Sequence, residues 1–261
     1  MLRPRLIPCL LIQDGGLVKT TKFKDAKYVG DPINAVRIFN EKEADELVVL
    51  DIDASVHNHE PNYERISFLA AECRMPLCYG GGIKTAQQAK RITALGVEKV
   101  AISSAAIENP KLITEMAAEI GSQSVVVVLD VKKKLLSKNY EVWIHNAKVN
   151  TKRNPIEVMT EVQSLGAGEI VINFIEHDGT MKGMPIDAIQ MFKKVCKVPF
   201  TVMGGAGTMD DLGDVVAANG LLGVAAGSLF VFKGPYRAVL INYPNQNLKQ
   251  EKIYGRCNVQ K

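Results

Sequence analysis

One acidic side chain stands at the end of the most apolar run in the chain, where it could transfer protons. Asp130 directly follows the run from Val125 to Leu129, which is typical of a strand buried on both faces. A carboxylate held by a rigid strand is a candidate general acid or base, although it could also cap a loop. Lys19 and Asp51 are weaker candidates, because both could simply pair with other charges.

Two sets of glycines and serines have the residue types of a phosphate-binding turn. Glycine lets backbone N–H groups approach an anion closely, and the start of a helix adds favourable partial charge. If these glycines do more than make tight turns, the ligand is a long molecule with a phosphate at each end, or a nucleotide sugar. We call the first set the first cradle: Gly179, Gly205, Gly207 and Ser228. The second cradle consists of Gly82, Ser103 and Ser104.

Eight short apolar runs, separated by amphipathic stretches, would position these groups as parallel strands. The runs are Leu6–Ile12, Glu46–Asp51, Pro76–Tyr79, Lys99–Ile102, Ser124–Asp130, Glu169–Asn173, Pro199–Val202 and Gly223–Ala226. Strict alternation of eight strands with helices predicts an α/β protein, specifically a (β/α)8 TIM barrel. The 261 residues suit a single barrel domain over 1–261, because this fold needs roughly 250 residues and no linker-like segment interrupts the chain.

An internal repeat supports a barrel made of two similar halves. Val49-Leu50-Asp51 matches Val171-Ile172-Asn173, an offset of 173 − 51 = 122 residues. Tyr79-Gly80-Gly81-Gly82 matches Met203-Gly204-Gly205-Ala206, an offset of 204 − 80 = 124 residues. Nearly equal offsets predict that the half-barrels arose by duplication and that the two cradles lie opposite each other.

Four charged residues mark the opposite, amino-terminal ends of the predicted strands. We call them the basal ring: Arg5, Glu46, Lys99 and Glu169. Two charges of each sign could plug the barrel bottom as a stabilising network, or they could form a gate into the barrel interior. A desolvated ring of this kind is costly unless it is well paired.

Composition excludes several other classes of protein. A net charge of +4 is too mild to indicate nucleic-acid binding. Five cysteines without a CxxC pair favour a reducing compartment over a disulfide framework, and no residues have metal-ligand spacing. The apolar run near the amino terminus is too short to cross a membrane and lacks a cleavage signal. We expect a cytoplasmic protein without metal or organic cofactor.

Several stretches resemble the cyclase (HisF-type) subunit of imidazole glycerol phosphate synthase, and the resemblance runs from about Leu2 to about Phe232. They are Asp45–Ile52, Gly80–Ile83, Ala105–Pro110, Asp178–Thr180 and Gly204–Gly207. The resemblance implies a (β/α)8 lyase that pairs, at the barrel bottom, with a glutaminase (HisH-like) subunit as a heterodimer. It also implies that ammonia enters through the basal ring, which favours a gate over a plug.

The same resemblance implies roles for the residues singled out above. It places the general acid on Asp130 and a catalytic lysine on Lys19. It places one phosphate site on Gly82, Ser103 and Ser104 and the other on Gly205 and Ser228. One departure concerns the second catalytic aspartate of the family, which falls on Leu11. Leucine cannot transfer a proton, and losing one member of an acid/base pair commonly costs about 100-fold or more.

The run Ile7-Pro8-Cys9-Leu10-Leu11, followed by 19–23, is similar to a paralogous branch found with surface-polysaccharide genes. That resemblance implies conversion of an acetamido group on a nucleotide-linked sugar into an acetamidino group, with a glutaminase-like partner and a separate amidotransferase. Cyclisation in histidine biosynthesis and a non-catalytic scaffold that activates the glutaminase stay as alternatives. Further departures are Ser103, Asn173, Met203 and the tail Tyr254–Lys261.

Overall fold

The computed structural model describes residues 2–135, 137 and 139–257 of the chain. Residues 258–261 of the tail that departs from the family pattern lie outside the described residues. The strands are β1 (Arg5–Gln13), β2 (Gly16–Thr21), β3 (Lys24–Gly30), β4 (Leu47–Asp51), β5 (Leu77–Gly80), β6 (Lys99–Ile102), β7 (Val125–Lys133), β8 (Tyr140–Ile144), β9 (Val149–Asn150), β10 (Glu169–Phe174), β11 (Phe200–Met203), β12 (Gly223–Ala226), β13 (Phe232–Lys233) and β14 (Ala238–Val239).

The helices follow the strands in the order expected for a barrel. They are α1 (Pro32–Glu41), α2 (Tyr63–Glu72), α3 (Ala86–Ala94), α4 (Ser104–Glu108), α5 (Lys111–Ile120), α6 (Pro155–Ser164), α7 (Ile186–Lys193), α8 (Met209–Asn219), α9 (Ser228–Val231) and α10 (Gln246–Lys252). Local sequence explains the helix starts, since Asp31 and Asn154 accept backbone N–H bonds before a proline, and Thr85 and Thr208 form capping boxes.

Eight parallel strands close into a barrel, which confirms the predicted (β/α)8 fold. Their order is β10-β11-β12-β1-β4-β5-β6-β7, and pairing between β7 and β10 closes the circle. Each predicted strand agrees with the structure to within one residue at every end except the carboxyl end of β7. That strand continues to Lys133 because it pairs antiparallel with β8 beyond the barrel wall.

Side chains of the barrel strands alternate between a helix-facing layer and the lumen. On β1, the lumen-facing residues are Arg5, Ile7, Cys9 and Leu11. The middle of the lumen is apolar and contains Ile7, Cys9, Val48, Cys78, Ala101, Val126, Val128, Val171, Met203 and Ala225. The basal ring therefore lies at one end of an apolar lumen, and the carboxyl ends of the strands lie at the other.

Two antiparallel hairpins at the carboxyl end of the barrel were not predicted. β2 and β3 extend β1 after a turn at Asp14 and Gly15, which have φ values of 48° and 82°. An Asp-Gly pair is typical of a hairpin turn. However, most residues of β3 are polar and exposed, so the sequence has no apolar run there from which a strand could be predicted. The second hairpin, β8 and β9, continues β7 and turns at three successive residues with positive φ, beginning at His145.

The segment after β14 packs beside the amino-terminal ends of β1 and β4. Lys249 on α10 is 1% exposed, and its Nζ donates to Asp45 Oδ1 at 2.8 Å. Tyr243 donates its hydroxyl to the Leu6 carbonyl at 2.8 Å, and Asp45 Oδ2 accepts the Leu6 N–H at 2.9 Å. This segment thus fixes the strand ends that carry Arg5 and Glu46. In the described part of the chain, none of the helices has the length and apolar character needed to cross a membrane.

Candidate active site at the carboxyl end of the barrel

Two adjoining cavities open at the carboxyl ends of the strands. They share Leu11, Lys19 and Gly227 as common walls. The larger cavity is lined by, among others, Gly82, Ser103, Ser104, Asp130 and Asn173, and the smaller one by Gly179, Gly205 and Ser228. Apart from Gly207, every residue predicted for the two cradles, together with both predicted catalytic residues, therefore faces one continuous groove.

Asp130 sits between two side chains from neighbouring strands. Asn173 on β10 donates its amide Nδ2 to Asp130 Oδ1 at 2.8 Å, and Ser103 after β6 donates its hydroxyl to Asp130 Oδ2 at 3.2 Å. Burial raises the pKa of Asp130 to about 7, against the lowering effect of these two hydrogen bonds. A carboxyl group with a pKa near neutrality can both take up and release a proton at physiological pH.

Lys19 on β2 is buried and points across the groove toward β1. Its Nζ donates to the Cys9 carbonyl at 2.5 Å, and burial lowers the pKa of Lys19 while Cys9 and Asp178 oppose that effect. A Cβ at Gly227 would come within 2.1 Å of this Nζ, so only glycine leaves room for the lysine. Among the described residues Lys19 has no carboxylate within 4.0 Å, whereas Asp51 lies 3.8 Å from Arg65 Nη1, as its alternative role of pairing with another charge requires.

Thr20 and Asp178 join this site although the sequence analysis gave them no role. Thr20 donates its hydroxyl to Asp178 Oδ2 at 3.1 Å, which ties the β2–β3 hairpin to the loop after β10. Burial raises the pKa of Asp178, and Lys19 and Thr20 counter that rise. Thr20 lies on a hairpin that the sequence did not predict, so the spacing of the residues gave no signal for its contact with Asp178.

The cradle residues line the groove, with one exception. The Gly207 N–H donates to Asp211 Oδ2 at 2.8 Å, as part of the capping box of α8, and Gly207 lines neither cavity. The structure therefore gives no support to an anion contact from this glycine, which stays a prediction. Gly205 does line the smaller cavity, and its φ of 109° and a 2.2 Å approach of the Gly183 carbonyl to an added Cβ already require glycine there.

The second cradle is partly engaged with the β8–β9 hairpin. Ser104 Oγ accepts the His145 N–H at 3.0 Å, and the Gly82 N–H donates to Ser55 Oγ at 3.4 Å. The Asn146 side chain donates to the Ile52 carbonyl at 2.9 Å, which holds the hairpin turn over the ends of the strands. Ser104 keeps its hydroxyl proton for a ligand, because it uses only an acceptor lone pair here.

Leu11 is half-buried at the junction of the two cavities, facing the groove from β1. Its place beside both Lys19 and Gly227 is central enough for a side chain that takes part in chemistry. A leucine side chain has no acid or base function, so of the two acid/base positions implied by the resemblance only Asp130 carries a titratable group.

The basal ring is a closed network of ion pairs at the other end of the lumen. Lys99 Nζ lies 2.8 Å from Glu46 Oε1 and 2.9 Å from Glu169 Oε2. Arg5 pairs with the same two carboxylates, at 2.6 Å for Glu169 Oε1. Thr201, which the sequence analysis missed, donates its hydroxyl to Glu169 Oε1 at 2.6 Å. Each carboxylate therefore bridges both cations across the barrel axis.

Charge pairing outweighs burial in this ring. Burial by itself would raise the pKa of Glu169, but hydrogen bonding and charge from Arg5, together with Lys99, hold that pKa well below its usual range. Burial would likewise lower the pKa of Lys99, yet the two carboxylates raise it. Glu169 and Lys99 are thus both ionised at neutral pH, and the ring places positive and negative groups side by side at the entrance to the lumen.

The closed ring of eight parallel strands makes this chain a (β/α)8 barrel, and its groove lies at the carboxyl ends of the strands, where enzymes of this fold hold their active sites. The chain belongs to the histidine biosynthesis protein family, whose model matches residues 5–236, and it is a HisF-like cyclase subunit of that lyase-type family.

Individual relatives cover nearly the whole chain. It is 58% identical over 253 residues to a provisionally named imidazole glycerol phosphate synthase subunit hisF3 of Vibrio vulnificus, spanning 97% of each chain. A similarly named HisF of Leptospira borgpetersenii is 59% identical over 250 residues, spanning 96% of this chain and 98% of the relative. Imidazole glycerol phosphate synthase subunit HisF of Natranaerobius thermophilus is 38% identical over 243 residues, spanning 93% and 96%.

Proposed function

We propose that this chain receives ammonia from a glutaminase (HisH-like) partner at the barrel bottom and delivers it to a phosphorylated substrate at the carboxyl end. The observation that carries the proposal is the continuity between the basal ring, the apolar lumen and the buried carboxyl group of Asp130. An apolar lumen suits neutral ammonia, which needs no counter-charge on its way.

The proposed substrate is a nucleotide-linked sugar whose acetamido group becomes an acetamidino group during surface-polysaccharide synthesis. Leu11 supports a reaction other than the ordinary one, since the groove holds Asp130 without a second carboxylate at that position. The two cradles would hold phosphate groups of the substrate, and Lys19 would offset developing negative charge. A separate amidotransferase would activate the acetamido carbonyl by transferring a phosphate-containing group from ATP to its oxygen, and that oxygen would leave with this group after ammonia adds to the carbon. The chain itself would act in the cytoplasm.

The test follows nitrogen from glutamine labelled with 15N in its amide. The chain, its glutaminase, the amidotransferase, ATP and an acetamido nucleotide sugar are combined with excess unlabelled ammonium chloride, and the product is analysed by mass spectrometry. We expect label in the amidino group despite the excess, because ammonia passes through the barrel without mixing with solvent. Full labelled amidination in the absence of this chain would reject the proposal.

Cyclisation in histidine biosynthesis is the second candidate, supported by the 38% identity to a relative named as a HisF subunit. On this alternative the chain restores growth to a histidine auxotroph that lacks its cyclase subunit. On our proposal the wild-type chain gives no rescue at good expression. A Leu11→Asp variant is the informative companion, because it supplies the carboxylate that the ordinary reaction is expected to need.

A non-catalytic scaffold that only activates the glutaminase is the third candidate. It predicts that Asp130→Asn leaves the output of labelled product unchanged. Our proposal predicts a loss of about 100-fold, the usual contribution of a positioned acid/base group. Glutaminase activity measured in the same samples separates a failed partner contact from failed chemistry.

A further inference from the structure

One buried polar atom beside Asp130 has no hydrogen-bond partner in the described part of the chain. Asn173 is 6% exposed, and its Nδ2 is used by Asp130, but its carbonyl oxygen Oδ1 contacts no donor. Asn173 lines the larger cavity, so this buried acceptor belongs to a side chain in the wall of the groove. Burying an acceptor without a donor costs free energy, and a native protein therefore tends to pair such a group with a ligand or a solvent molecule.

The surrounding contacts fix which way the amide points. With Asp130 ionised, its Oδ1 can only accept, so the amide group that faces it at 2.8 Å is the NH2, and the amide oxygen is directed away from this carboxylate oxygen. Ser103 uses its hydroxyl proton on the other carboxylate oxygen. The cavity wall at this point therefore offers acceptors: Asn173 Oδ1 and the remaining lone pairs of Asp130. A ligand group that satisfies them must carry at least two hydrogens.

The position of Asn173 along its strand points to a ligand that comes from the lumen. Glu169, Val171 and Asn173 alternate inward on β10, so the basal ring and the unpaired acceptor are separated by four residues, about 13 Å along the strand. Val171 and its apolar neighbours fill the stretch between them. Asn173 is consequently among the first polar groups that a small molecule leaving the lumen would meet.

Resting on the proposed function, we infer that Asn173 is a binding residue for the transferred nitrogen. Asn173 Oδ1 accepts one N–H of ammonia or ammonium and Asp130 accepts another, so the nitrogen is held at the exit of the lumen. Two acceptors on one side of ammonia leave its lone pair directed away from them, toward the substrate groove. Asn173 thereby positions the nucleophile, whereas Asp130 takes the proton that the nitrogen loses when it attacks.

The test measures ammonium binding to the isolated chain by 13C NMR of protein labelled at aspartate carboxyl carbons. The Asp130 signal is identified by its loss in Asp130→Asn, and ammonium chloride is titrated at about pH 8, where an aspartate with a pKa of about 7 is mostly ionised. Tetramethylammonium chloride, which has the same charge and no N–H, controls for ionic strength. We expect a saturable shift with ammonium and none with tetramethylammonium.

Two substitutions distinguish the contribution of Asn173 Oδ1 to ammonium binding from that of the hydrogen bonds made to Asp130. Asn173→Leu removes the acceptor and should weaken ammonium binding by about tenfold, the value of one buried hydrogen bond. Ser103→Ala is the matched control, because it also removes one hydrogen bond to Asp130 but keeps Asn173 Oδ1, and it should change the affinity by less than about threefold. Equal weakening in both variants would overturn the inference, as would an unchanged affinity in Asn173→Leu.

Asn173→Ala decides the matter if the leucine variant does not fold, as judged by circular dichroism. It removes the acceptor without adding bulk, so ammonium should again bind about tenfold more weakly than in the wild type. Binding as tight as in the wild type would contradict the inference. Because glutamine, glutaminase and sugar are absent, the outcome is independent of the nitrogen-transfer experiment, and each idea can fail without the other.

Discussion

At the scale of single residues, the site depends on the carboxyl group of Asp130, whose pKa burial raises to about 7. Asp130 combines almost complete burial with two side-chain donors, Asn173 and Ser103, which limit the cost of its charge. The desolvation of a functional group usually lowers the stability of the fold that holds it. Asp130 should therefore be a site where function and stability conflict.

Replacing Asp130 with asparagine should stabilise the protein at neutral and alkaline pH. The native pKa of Asp130, about 7, lies above its ordinary value of 3.8, so between these values the folded chain binds a proton that the unfolded chain has released. Stability of the wild type thus falls as pH rises from about 4 to 7, and asparagine escapes this loss. We expect the variant to gain up to about 4 kcal/mol above pH 7 and little below pH 4.

Urea unfolding between about pH 4 and 8 measures this difference in the free energy of unfolding. Asp25→Asn on the exposed β2–β3 hairpin controls for the loss of a negative charge. A constant difference between Asp130→Asn and the wild type across the pH range would show that the native carboxyl group is not held near neutrality.

Residue types predicted some of these roles and not others. Asp130 could be found because it follows an uninterrupted apolar strand, and the cradles because glycines and serines follow the predicted strands. The family resemblance then implied a catalytic role for Lys19. Asn173 and Thr201 were missed as functional groups, since a polar residue ending or starting a strand is common and its partner lies on another strand. Only the closed barrel shows that they face Asp130 and Glu169.

At the scale of elements, four different strands each supply one charge to the basal ring. β1 and β10 contribute Arg5 and Glu169, β6 contributes Lys99, and Glu46 directly precedes β4. The ring was predictable because charged residues at the starts of apolar strands must meet at the same end of a parallel barrel. The hairpins β2–β3 and β8–β9 were not, because their exposed residues obey no apolar period.

Lys99→Met should destabilise the barrel by about 3 kcal/mol, at the lower end of the cost of breaking a buried ion pair, because the lysine is 19% exposed. The reason is that Glu46 and Glu169, each 4% exposed, would share only Arg5. The pKa of Glu169 is depressed in the wild type, so this stabilisation is present above its ordinary value of 4.5 and is lost as pH falls below it. The gap between variant and wild type should narrow in acid.

Unfolding by urea at about pH 7 and pH 4 tests the prediction. Lys90→Met removes an exposed partner of Glu119 and should have only a small effect. If Lys99→Met costs no more than Lys90→Met, the ring is not a tightly paired network.

The carboxyl-terminal helix α10 should be needed to hold the chain before β4. Lys249→Met leaves Asp45 without its buried cation and should cost about 3 kcal/mol in the free energy of unfolding. Adding Asp45→Asn to that variant should recover part of the loss, because the unpaired carboxylate is then removed. Thermal and urea unfolding of the two single variants and the double variant give the coupling free energy directly.

Lys252→Met is the matched control on the same helix, because Lys252 makes only solvent-exposed ion pairs with Asp210 and Glu251. A loss for Lys249→Met that equals the loss for Lys252→Met would mean that burial of the lysine contributes nothing. Complete additivity of Lys249→Met and Asp45→Asn would likewise exclude a direct interaction between the two side chains.

At the scale of the whole molecule, the barrel has two chemically distinct ends joined by an apolar interior. Permanent charges close the bottom, whereas the top holds groups whose pKa values burial has moved toward neutrality, Asp130 upward and Lys19 downward. This division matches the reaction proposed above, since passage through the bottom requires no proton transfer and reaction at the top does. On that proposal, the two ends work together only if ammonia can pass between the apolar side chains that fill the lumen.

Filling the lumen should uncouple glutamine from nitrogen transfer. Ala225 on β12 is 1% exposed and lies in the middle of the lumen, so Ala225→Leu would place three more carbon atoms in the path of ammonia. We expect glutamine-dependent product to fall at least about tenfold, while product formed from added ammonium chloride, which reaches the top from solvent, stays within about twofold. Overpacking of this kind commonly costs about 1–3 kcal/mol, which the barrel should tolerate.

Ala188→Leu on α7 provides the comparison, because it adds the same bulk to a buried position outside the lumen. It should reduce the glutamine-dependent and the ammonium-dependent rates alike, if it changes either. Equal loss of both rates in Ala225→Leu would point to general damage at the carboxyl end. Unchanged glutamine-dependent transfer in a folded Ala225→Leu variant would place the route of ammonia outside the barrel, and the basal ring would then be the stabilising plug that its ion pairs alone would suggest.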